Sequence, residues 1–347
     1  MFREVLLDEA MELYQDYYDR ASVRSIYHHP QYLWAEEKAE DYKIFLYIYE
    51  KNNQYVILPS VKKRINDIDI FAQEEEEYYD LVTPHEYSGV LSNVSDLDLF
   101  QEFYNQLESF CTNHNIIFQF IRFNPYSDEY KSAEKFDIKL ADRQNWVDCS
   151  TDVLGHYQKR KARYVRAAIK NGMECREVEK NDKNIECFYH FYIKAMERLS
   201  AKKFLYFNME YFTTLCRNDF VKLFFIIDGC SQTILSGIII LCDTEHKRLY
   251  HHLSFRNAEA ENLHSMEYMI YATAEWAKAN GYESMHLGGG SCSLHRFKDG
   301  CTDKRVEYYV GNRIYSPTKY KILADKFCKK YPEQKDAKFL PIYRSKE

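Results

Sequence analysis

Apolar residues recur along the chain at two spacings, one typical of helices and one typical of strands. Between residues 96 and 113 they follow a period close to 3.6, as an amphipathic helix requires. Short apolar runs bounded by turn residues predict strands instead. The predicted helices cover residues 4–18, 96–113, 153–171, 184–198 and 265–280. The predicted strands cover residues 43–50, 54–64, 116–123, 221–228, 233–243, 248–255 and 283–287.

Turn residues separate these elements. Residues 51–53 (Lys-Asn-Asn) lie between the first two strands and predict a hairpin. Gly172 and Gly281 follow predicted helices, a position that glycine favours. Residues 28–30 and the acidic run 73–80 predict loops. Each half therefore has helices, antiparallel strands, then a helix and a further strand, which predicts two similar α+β units without a residue-level repeat.

Length and composition predict the number of domains, the use of the aromatic residues and the cellular compartment. A chain of 347 residues exceeds the usual size of a single core and predicts two domains, and its 31 Tyr and 22 Phe can fill large cores or line substrate grooves. No run approaches the roughly 18 apolar residues of a membrane span, and the first residues lack the apolar run of a secretory peptide. Ten scattered cysteines without a CxxC pair predict neither a disulfide framework nor a zinc site. We expect a cytoplasmic protein without a metal.

Positive charge is concentrated in one helical segment. The formal net charge of −6 gives the whole molecule no attraction for nucleic acid or acidic membranes, so a polyanion site must be local. Residues 156–170 hold six Lys and Arg and no acid. At helical spacing most of these cations face outward, either as a solvated face or as a phosphate-contacting helix for a nucleotide or a tRNA acceptor stem. The candidate phosphate-binding residues are Lys159, Arg160, Arg163 and Arg166.

A glycine-rich segment near the C-terminus, HLGGGSCSLHRFKDG (286–300), holds the strongest candidate chemistry. A strand running into Gly288, Gly289, Gly290 and Ser291 can present successive amide groups to an anion, while Arg296 and Lys298 add positive charge to the same concavity. The alternative is a plain flexible turn. The segment matches neither the P-loop pattern nor GxGxxG.

Histidine and tyrosine supply further candidates. In the strand RLYHHLSF, alternation sends His251 and His252 to opposite faces, where either is a general base or a structural residue. The stretch 196–212 is rich in aromatic residues that pack in a core, with one or two tyrosines, such as Tyr206, facing a groove.

In combination, several segments resemble the FemAB-type peptidyltransferases and their GNAT-like relatives, including members found with surface-polysaccharide genes. The C-terminal run "AEWAKANGYESMHLGGGSCSLHRFKDG" is similar to that group's glycine-rich lead and "FK" motif. "YYDLVTPHEYSGV" (78–90), "YQKRKARYVRAAIKNGMECREV" and "RLYHHLSF" resemble other stretches in the same order.

This resemblance implies two tandem GNAT-like domains, each a mainly antiparallel mixed sheet flanked by helices. The expected boundaries are 1–145, 146–318 with the glycine turn, and a C-terminal helix and strand at 319–347. It also implies transfer of an acyl or aminoacyl group to an amine. Lys298 matches the family lysine at the reacting carbonyl, and Phe297 is its neighbour. Tyr211 matches a substrate-contacting tyrosine, and Tyr87 lies in the resembling stretch of the first domain.

Departures from the group's pattern bear on the substrates. Phe207 stands where cell-wall members carry a phosphate-binding arginine, which argues against a nucleotide-linked muropeptide acceptor. The junction 254–265 contains no glycine, so the usual cradle for CoA pyrophosphate is missing. Cys301 replaces the usual Phe as a packing change.

The leading hypothesis is transfer from aminoacyl-tRNA to an amine-bearing cell-envelope precursor, a peptide or an amino sugar, with Lys298 stabilising the tetrahedral oxyanion. No further cofactor is expected, and a lipid-linked acceptor would bring peripheral contact with the membrane. Two alternatives stay open: an acyl-CoA-dependent N-acyltransferase of an amino sugar in capsule or teichoic-acid assembly, and a catalytically silent module that binds an anion or glycan.

Overall fold

The computed structural model of the protein describes residues 1–39, 42–260, 263–335 and 339–346. The chain forms two compact units, one of Met1–Ala141 with Tyr308–Glu347 and one of Asp142–Glu307. Residues 308–318, which we predicted in the second domain, belong to the first unit, where residues 310–314 pair with residues 118–122. Residues 142–145, which we predicted in the first domain, belong to the second unit. Residues 261–262 of the predicted CoA junction, and 336–338 and 347 of the predicted C-terminal segment, lie outside the described residues.

The elements are numbered here in chain order. The α-helices are α1 (Met11–Arg20), α2 (Pro30–Ala39), α3 (Leu97–Asn113), α4 (Lys159–Lys170), α5 (Asp182–Arg198), α6 (Met209–Cys216), α7 (Ser265–Ala279), α8 (Cys292–Lys298) and α9 (Pro317–Lys330). The strands are β1 (Phe2–Leu6), β2 (Ile44–Lys51), β3 (Gln54–Arg64), β4 (Tyr79–Val82), β5 (Leu91–Ser92), β6 (Ile116–Arg122), β7 (Asp137–Asp148), β8 (Met173–Glu177), β9 (Val221–Asp228), β10 (Ile234–Asp243), β11 (Arg248–Arg256), β12 (Ser284–His286) and β13 (Arg305–Ile314).

The first unit is a mixed sheet in the order β1-β2-β3-β4-β6-β13, with β5 beside β3. Only β4 and β6 run parallel among these pairs, and the predicted hairpin of β2 and β3 is confirmed. Helix α3 begins after Asp96, whose carboxylate accepts from the amides of residues 98 and 99. The apolar face of α3, including Leu99, Phe103 and Leu107, is buried in the core of this unit, as its spacing predicts.

The second unit is a mixed sheet in the order β7-β12-β11-β10-β9-β8. Its pairs are antiparallel except β11 with β12, which run parallel over three residues. Helices α4 and α7 pack on this sheet through Val165, Met269 and Ala274, all buried in one core. Both units combine helices with mixed sheets, so the α+β prediction is confirmed.

Several local predictions are wrong. The C-terminal strand expected within 319–347 is absent from the described residues there, which form α9 and two 3-10 turns. Residues 2–6 form the edge strand β1 rather than the start of a helix, because Phe2–Leu6 pair with Tyr49–Phe45 of β2. Helix α2 follows His29 where we predicted only a loop. The helix predicted over 153–171 is interrupted: Val153–His156 form a 3-10 turn that contains Gly155, a poor helix former, and α4 begins only at Lys159.

Two predicted helix ends are confirmed. Gly172 and Gly281 adopt φ of +74° and +81° after α4 and α7, as glycine caps do. Within the described residues, no helix is both long and apolar enough to cross a membrane. The ten cysteines are free thiols.

Candidate functional site

Strands β11 and β12 stop pairing at the point where the candidate residues lie. The last paired residues are Tyr250 of β11 and His286 of β12. Beyond that pair β11 continues beside β10, while the amide of Leu287 bonds to Asn145 and the chain enters the glycine turn. His251 therefore comes directly after the last paired residue of β11, and Gly288 comes two residues after the last paired residue of β12.

Lys298 is the buried centre of this region. It is the last residue of α8 and is 4% exposed. Its Nζ donates to the carbonyl oxygens of Gly288 (2.9 Å) and Gly289 (2.6 Å). The predicted proximity of the lysine to the glycines is therefore seen in the structure. However, the carbonyls of Gly288 and Gly289, and not their amides, face the ammonium. The turn thus holds a cation through its carbonyls, a different role from the predicted display of amides to an anion.

The glycines allow this turn because two of them have backbone angles that other residues rarely adopt. Gly288 has φ +70° and Gly290 has φ +150°. A Cβ on Gly290 would lie 2.5 Å from Cδ2 of Leu294. Ser291 then caps α8 by accepting from the amide of Leu294 at 3.4 Å. The turn therefore passes directly into the short helix that ends at Lys298.

Replacing Gly290 with alanine is expected to destabilise the protein by about 1–3 kcal/mol, because alanine would carry backbone strain and collide with Leu294. Gly281→Ala is the matched control, since Gly281 also has positive φ but nothing lies within 4 Å of its added Cβ. The control should lose about 1 kcal/mol from strain alone. Urea denaturation measures both variants. A loss at Gly290 no larger than at Gly281 would contradict the close packing of the turn on α8.

Asp299 fixes the end of α8. Its Oδ1 accepts from Nδ2 of Asn145 (2.9 Å) and from Nη2 of Arg305 (2.5 Å). Burial opposes the charged carboxylate, but these two hydrogen bonds and the charge of Arg305 lower the pKa of Asp299 below its ordinary value. Backbone amides of residues 301 and 302 also bond to the carbonyl of Lys298. The lysine is therefore held in place by the backbone and by its neighbour in the chain.

His251 lies beside a break in the β10–β11 register. Leu253 pairs with Ile239 and His251 pairs with Ile240, so the register shifts by one residue at His252. His251 Nε2 lies 2.8 Å from the hydroxyl oxygen of Ser254, three positions along the strand. Regular alternation would put residues three apart on opposite faces. The strand is therefore bulged at His252, and the two histidines contact different elements: His251 pairs with the core residue Ile240, whereas His252 contacts Tyr211 of α6.

The His251 ring is neutral at neutral pH. Burial, and secondarily the positive charge of Lys298, lower its pKa to about 3. Its Nδ1 is buried and has no hydrogen-bond partner within the described part of the chain. A neutral imidazole with an open nitrogen can donate or accept one hydrogen bond with a substrate.

His252 forms a pair with Tyr211, another of the predicted residues. Its Nε2 lies 2.6 Å from the hydroxyl oxygen of Tyr211, which is fully buried. Asn208 caps α6 by accepting from the amide of Tyr211 at 2.8 Å, and the ring of Phe207 stacks on the tyrosine at 4.4 Å between centroids. The phenylalanine that replaces the group's arginine thus packs on the tyrosine that we predicted to contact substrate.

Sequence reasoning missed His286. It is 1% exposed at the end of β12, and its ring centroid lies 5.7 Å from that of Tyr250. Burial, then the charges of Lys298 and Arg248, lower its pKa to about 3. The available signal was its place two residues before Gly288, in the predicted strand 283–287 that leads into the glycines. We call His251, His286 and Lys298 the lysine–histidine cluster.

Acidification is expected to lower the free energy of unfolding between about pH 6.5 and pH 3, because the unfolded chain protonates the two cluster histidines while the folded chain keeps them neutral. Each histidine contributes a slope of up to about 1.4 kcal/mol per pH unit in this window. Lys298→Met removes one cause of the low pKa values, so its two histidines should protonate at a higher pH in the folded chain, and its stability should stop falling at that higher pH. Urea denaturation at stepped pH measures where the fall ends, and the same end point in both proteins would contradict the coupling.

Arg296 and Phe297 lie differently from the prediction. Arg296 is exposed on α8, with its Nε donating to the carbonyl of Cys292 at 3.4 Å, whereas Lys298 is buried. Positions two apart on a helix point about 200° apart, so the two cations do not share one concavity. The ring of Phe297 lies 4.4 Å from Nζ of Lys161 and packs against the core, which indicates a packing role.

Helix α4 carries the predicted phosphate-binding residues on one exposed face. Lys159, Arg160, Arg163 and Arg166 line an open groove together with Leu154, Gly155, Tyr157 and Ala162. Among the described residues none forms an ion pair with these four cations. Lys159 and Arg160 stand in the first turn of the helix, where positive charge opposes the helix dipole. Such a face is stabilised by a bound polyanion.

Lys161 points inward and is different from its neighbours. Its Nζ lies 2.5 Å from Oε1 of Glu267, and both side chains are largely buried. Glu267 stands in the first turn of α7. Next to it, His264 stacks on Tyr164 of α4 with 3.6 Å between the ring centroids. The beginning of α7 is therefore covered by contacts with α4 and already carries a carboxylate.

The remaining two predicted residues lie elsewhere. Tyr206 is 37% exposed in the connection between α5 and α6. Tyr87 belongs to the first unit, where it is 5% exposed and packs edge-on against Tyr27 and Tyr308. Contact of either tyrosine with a substrate stays a prediction.

Comparisons with known proteins agree with this architecture. No protein-family model matches the chain, and no curated protein sequence matches it. The crystal structure of FemX matches at a TM-score of 0.65 and 10% identity, covering 93% of this chain and 99% of FemX. The C-terminal domain of a putative lysylphosphatidylglycerol synthetase from Agrobacterium fabrum matches at 0.59 and 11%, covering 90% and 93%.

A tandem GNAT protein from the clavulanic acid biosynthesis pathway matches at a TM-score of 0.51 and 8% identity, covering 92% of this chain and all of that one. The chain thus has the fold of FemX and of tandem GNAT proteins. The predicted fold of two GNAT-like domains is confirmed, as is the resemblance at the level of the fold.

Proposed function

We propose that the protein transfers an acyl or aminoacyl group from an activated donor to an amine of a cell-envelope precursor, either a peptide or an amino sugar. The observation that carries the proposal is the buried ammonium of Lys298, held at the glycine turn with the neutral imidazole of His251 on the neighbouring strand. The fold shared with FemX and with a putative lysylphosphatidylglycerol synthetase supports this class of reaction.

Lys298 would act on the charge that forms during the reaction. The acceptor amine attacks the donor carbonyl, and the electron pair of the C=O bond moves to oxygen, giving a tetrahedral oxyanion. A fixed positive charge stabilises that oxyanion more than it stabilises the neutral carbonyl, and it needs no reorganisation during the step. The carbonyls of Gly288 and Gly289 keep the ammonium fixed.

The attacking amine must lose a proton, and the leaving oxygen of an ester donor must gain one. In His251, Nδ1 is buried and has no hydrogen-bond partner among the described residues, and we propose that a substrate supplies that partner. With a pKa of about 3 it does not store the proton in the resting enzyme. We propose that His251 accepts a hydrogen bond from the amine and passes the proton toward the leaving group as the oxyanion forms, since the nearby negative charge then raises the basicity of the imidazole.

The donor that fits best is an aminoacyl-tRNA. The four exposed cations of α4 offer a row of phosphate contacts along an open groove. In contrast, a pyrophosphate at the N-terminus of α7 would meet the carboxylate of Glu267 and the stacked pair of His264 and Tyr164. The junction before α7 also lacks the glycines of the usual CoA site. Both observations favour a tRNA donor over CoA. Such a donor would place the reaction in the cytoplasm.

The test is to incubate the protein with radiolabelled aminoacyl-tRNA or radiolabelled acyl-CoA and a panel of amine-bearing peptides and amino sugars. Label is expected to pass from aminoacyl-tRNA to an amine of the panel. Transfer from acyl-CoA alone would replace the tRNA donor with the N-acyltransferase alternative. Saturable binding of panel members without transfer from either donor would overturn the enzymatic proposal in favour of a binding module.

A further inference from the structure

A segment of the second unit displays apolar side chains at its surface. It connects α5 to α6, and we call residues 199–206 the apical loop. Leu199 is 66% exposed, Phe204 51% and Tyr206 37%. Single exposed apolar residues are common on soluble proteins, but three large ones within eight residues form a patch that commonly marks an interaction site.

Hydrogen bonds hold the apical loop in this exposed form. The hydroxyl of Tyr192 in α5 donates to the carbonyl of Leu205 at 2.9 Å. The amide of Ala201 bonds to Met196 at 3.0 Å, and Lys203–Leu205 form a 3-10 turn. Because the backbone is tied to α5, the loop keeps its apolar side chains at the surface.

Cations alternate with the apolar groups. Lys202 and Lys203 are exposed, and neither forms an ion pair within the described residues. Arg198, just before the loop, donates from Nη2 to the carbonyl of Arg256 and keeps its charge beside them. The charges of residues 198–206 are all positive, in a chain whose net charge is −6.

We propose that the apical loop docks on an anionic lipid bilayer. Apolar rings at such a surface enter the boundary between headgroups and acyl chains, while lysines reach the anionic headgroups. A protein partner fits less well, because the cores of protein interfaces are depleted of lysine. A symmetric contact with a second copy would bring the lysines of both loops together, which costs free energy.

The apical loop is directly connected to the residues around Tyr211 and His252. The residue after it, Phe207, stacks on Tyr211, whose hydroxyl bonds to His252 on β11. If the proposed reaction is correct, docking would bring a lipid-linked acceptor toward these residues. That consequence rests on the proposed function, whereas docking itself does not.

Co-sedimentation with vesicles tests the docking without any substrate. The protein is expected to bind vesicles of phosphatidylglycerol and phosphatidylcholine and to bind weakly to phosphatidylcholine alone. Lys202→Glu with Lys203→Glu should weaken binding by at least about 25-fold, since each lysine near an anionic surface contributes about fivefold. Phe204→Ser should weaken it by about tenfold through lost apolar burial.

The matched controls make the same kinds of substitution at exposed residues outside the apical loop. Leu97→Ser alters an exposed leucine that begins α3, and Lys183→Glu alters an exposed lysine at the other end of α5. Both should bind vesicles as the unchanged protein does. No binding to anionic vesicles, or equal binding by the loop variants, would overturn the proposal. The proposal would also be overturned if the protein did not bind lipid but self-associated in analytical ultracentrifugation, and the loop variants abolished that self-association. Failure of group transfer with intact vesicle binding would overturn only the proposed reaction.

Discussion

The variant Lys298→Met is expected to transfer the acyl or aminoacyl group about 100- to 1000-fold more slowly than the unchanged protein. Methionine is similar in length and fits the buried position, but it carries no charge to stabilise the oxyanion. The variant should still bind donor and acceptor, since the effect falls on the transition state. Single-turnover rates at saturating donor isolate the chemical step from binding and release.

Arg296→Met is the matched control for this prediction. Arg296 lies on the same short helix, but it is exposed, and among the described residues its side chain donates only to the carbonyl of Cys292. Its rate should equal that of the unchanged protein. Circular dichroism and urea denaturation check that both variants are folded. A near-normal rate in Lys298→Met would remove the lysine from the mechanism, whereas an equal loss in Arg296→Met would indicate disruption of α8 instead.

The parts of the fold that the sequence predicted are those in which local pattern and burial agree. Helix α3 has enough turns for its apolar period to be clear, and its buried residues Leu99, Phe103 and Leu107 follow that period. Strands β9 and β10 are nearly continuous apolar runs, since both faces of each are covered. In these elements the residues themselves specify what they pack against.

Other elements depend on partners that are distant in sequence. Strand β7 begins with six residues that are mostly exposed, DIKLAD, and gives little apolar signal. Strand β13 is recognisable only through its pairing with β6, nearly two hundred positions earlier. Helix α8 has seven residues, too few to show a helical period. Sequence pattern alone cannot specify elements of this kind.

The sequence likewise predicted some features of the candidate site and not others. A lysine ten positions after Gly288 was visible in the sequence, and a glycine turn permits close approach to it. The direction of the carbonyls was not visible, because it follows from the φ of +70° that Gly288 adopts among several angles open to glycine. The contact of His251 with Ser254 was hidden for another reason: it depends on a register shift against β10, which is set by two strands together.

Removing the four exposed cations of α4 is expected to weaken donor binding and to change its salt dependence. In the variant Lys159→Gln, Arg160→Gln, Arg163→Gln, Arg166→Gln, the slope of log binding constant against log salt should fall in magnitude by about four, since each phosphate contact contributes about one. These cations have no ion-pair partner in the described part of the chain, so their loss breaks no internal pair. Filter binding of aminoacyl-tRNA at several salt concentrations measures the slope.

The control for this variant removes the same number of charges from other exposed positions. Lys183, Lys194, Lys321 and Lys329 are exposed on α5 and α9, and their replacement by glutamine changes the net charge equally. If donor binding depended on net charge alone, both variants would lose affinity to the same extent. A local groove instead predicts that the slope falls only in the α4 variant. An unchanged slope in the α4 variant would contradict the tRNA assignment, because the donor phosphates would then contact another part of the protein.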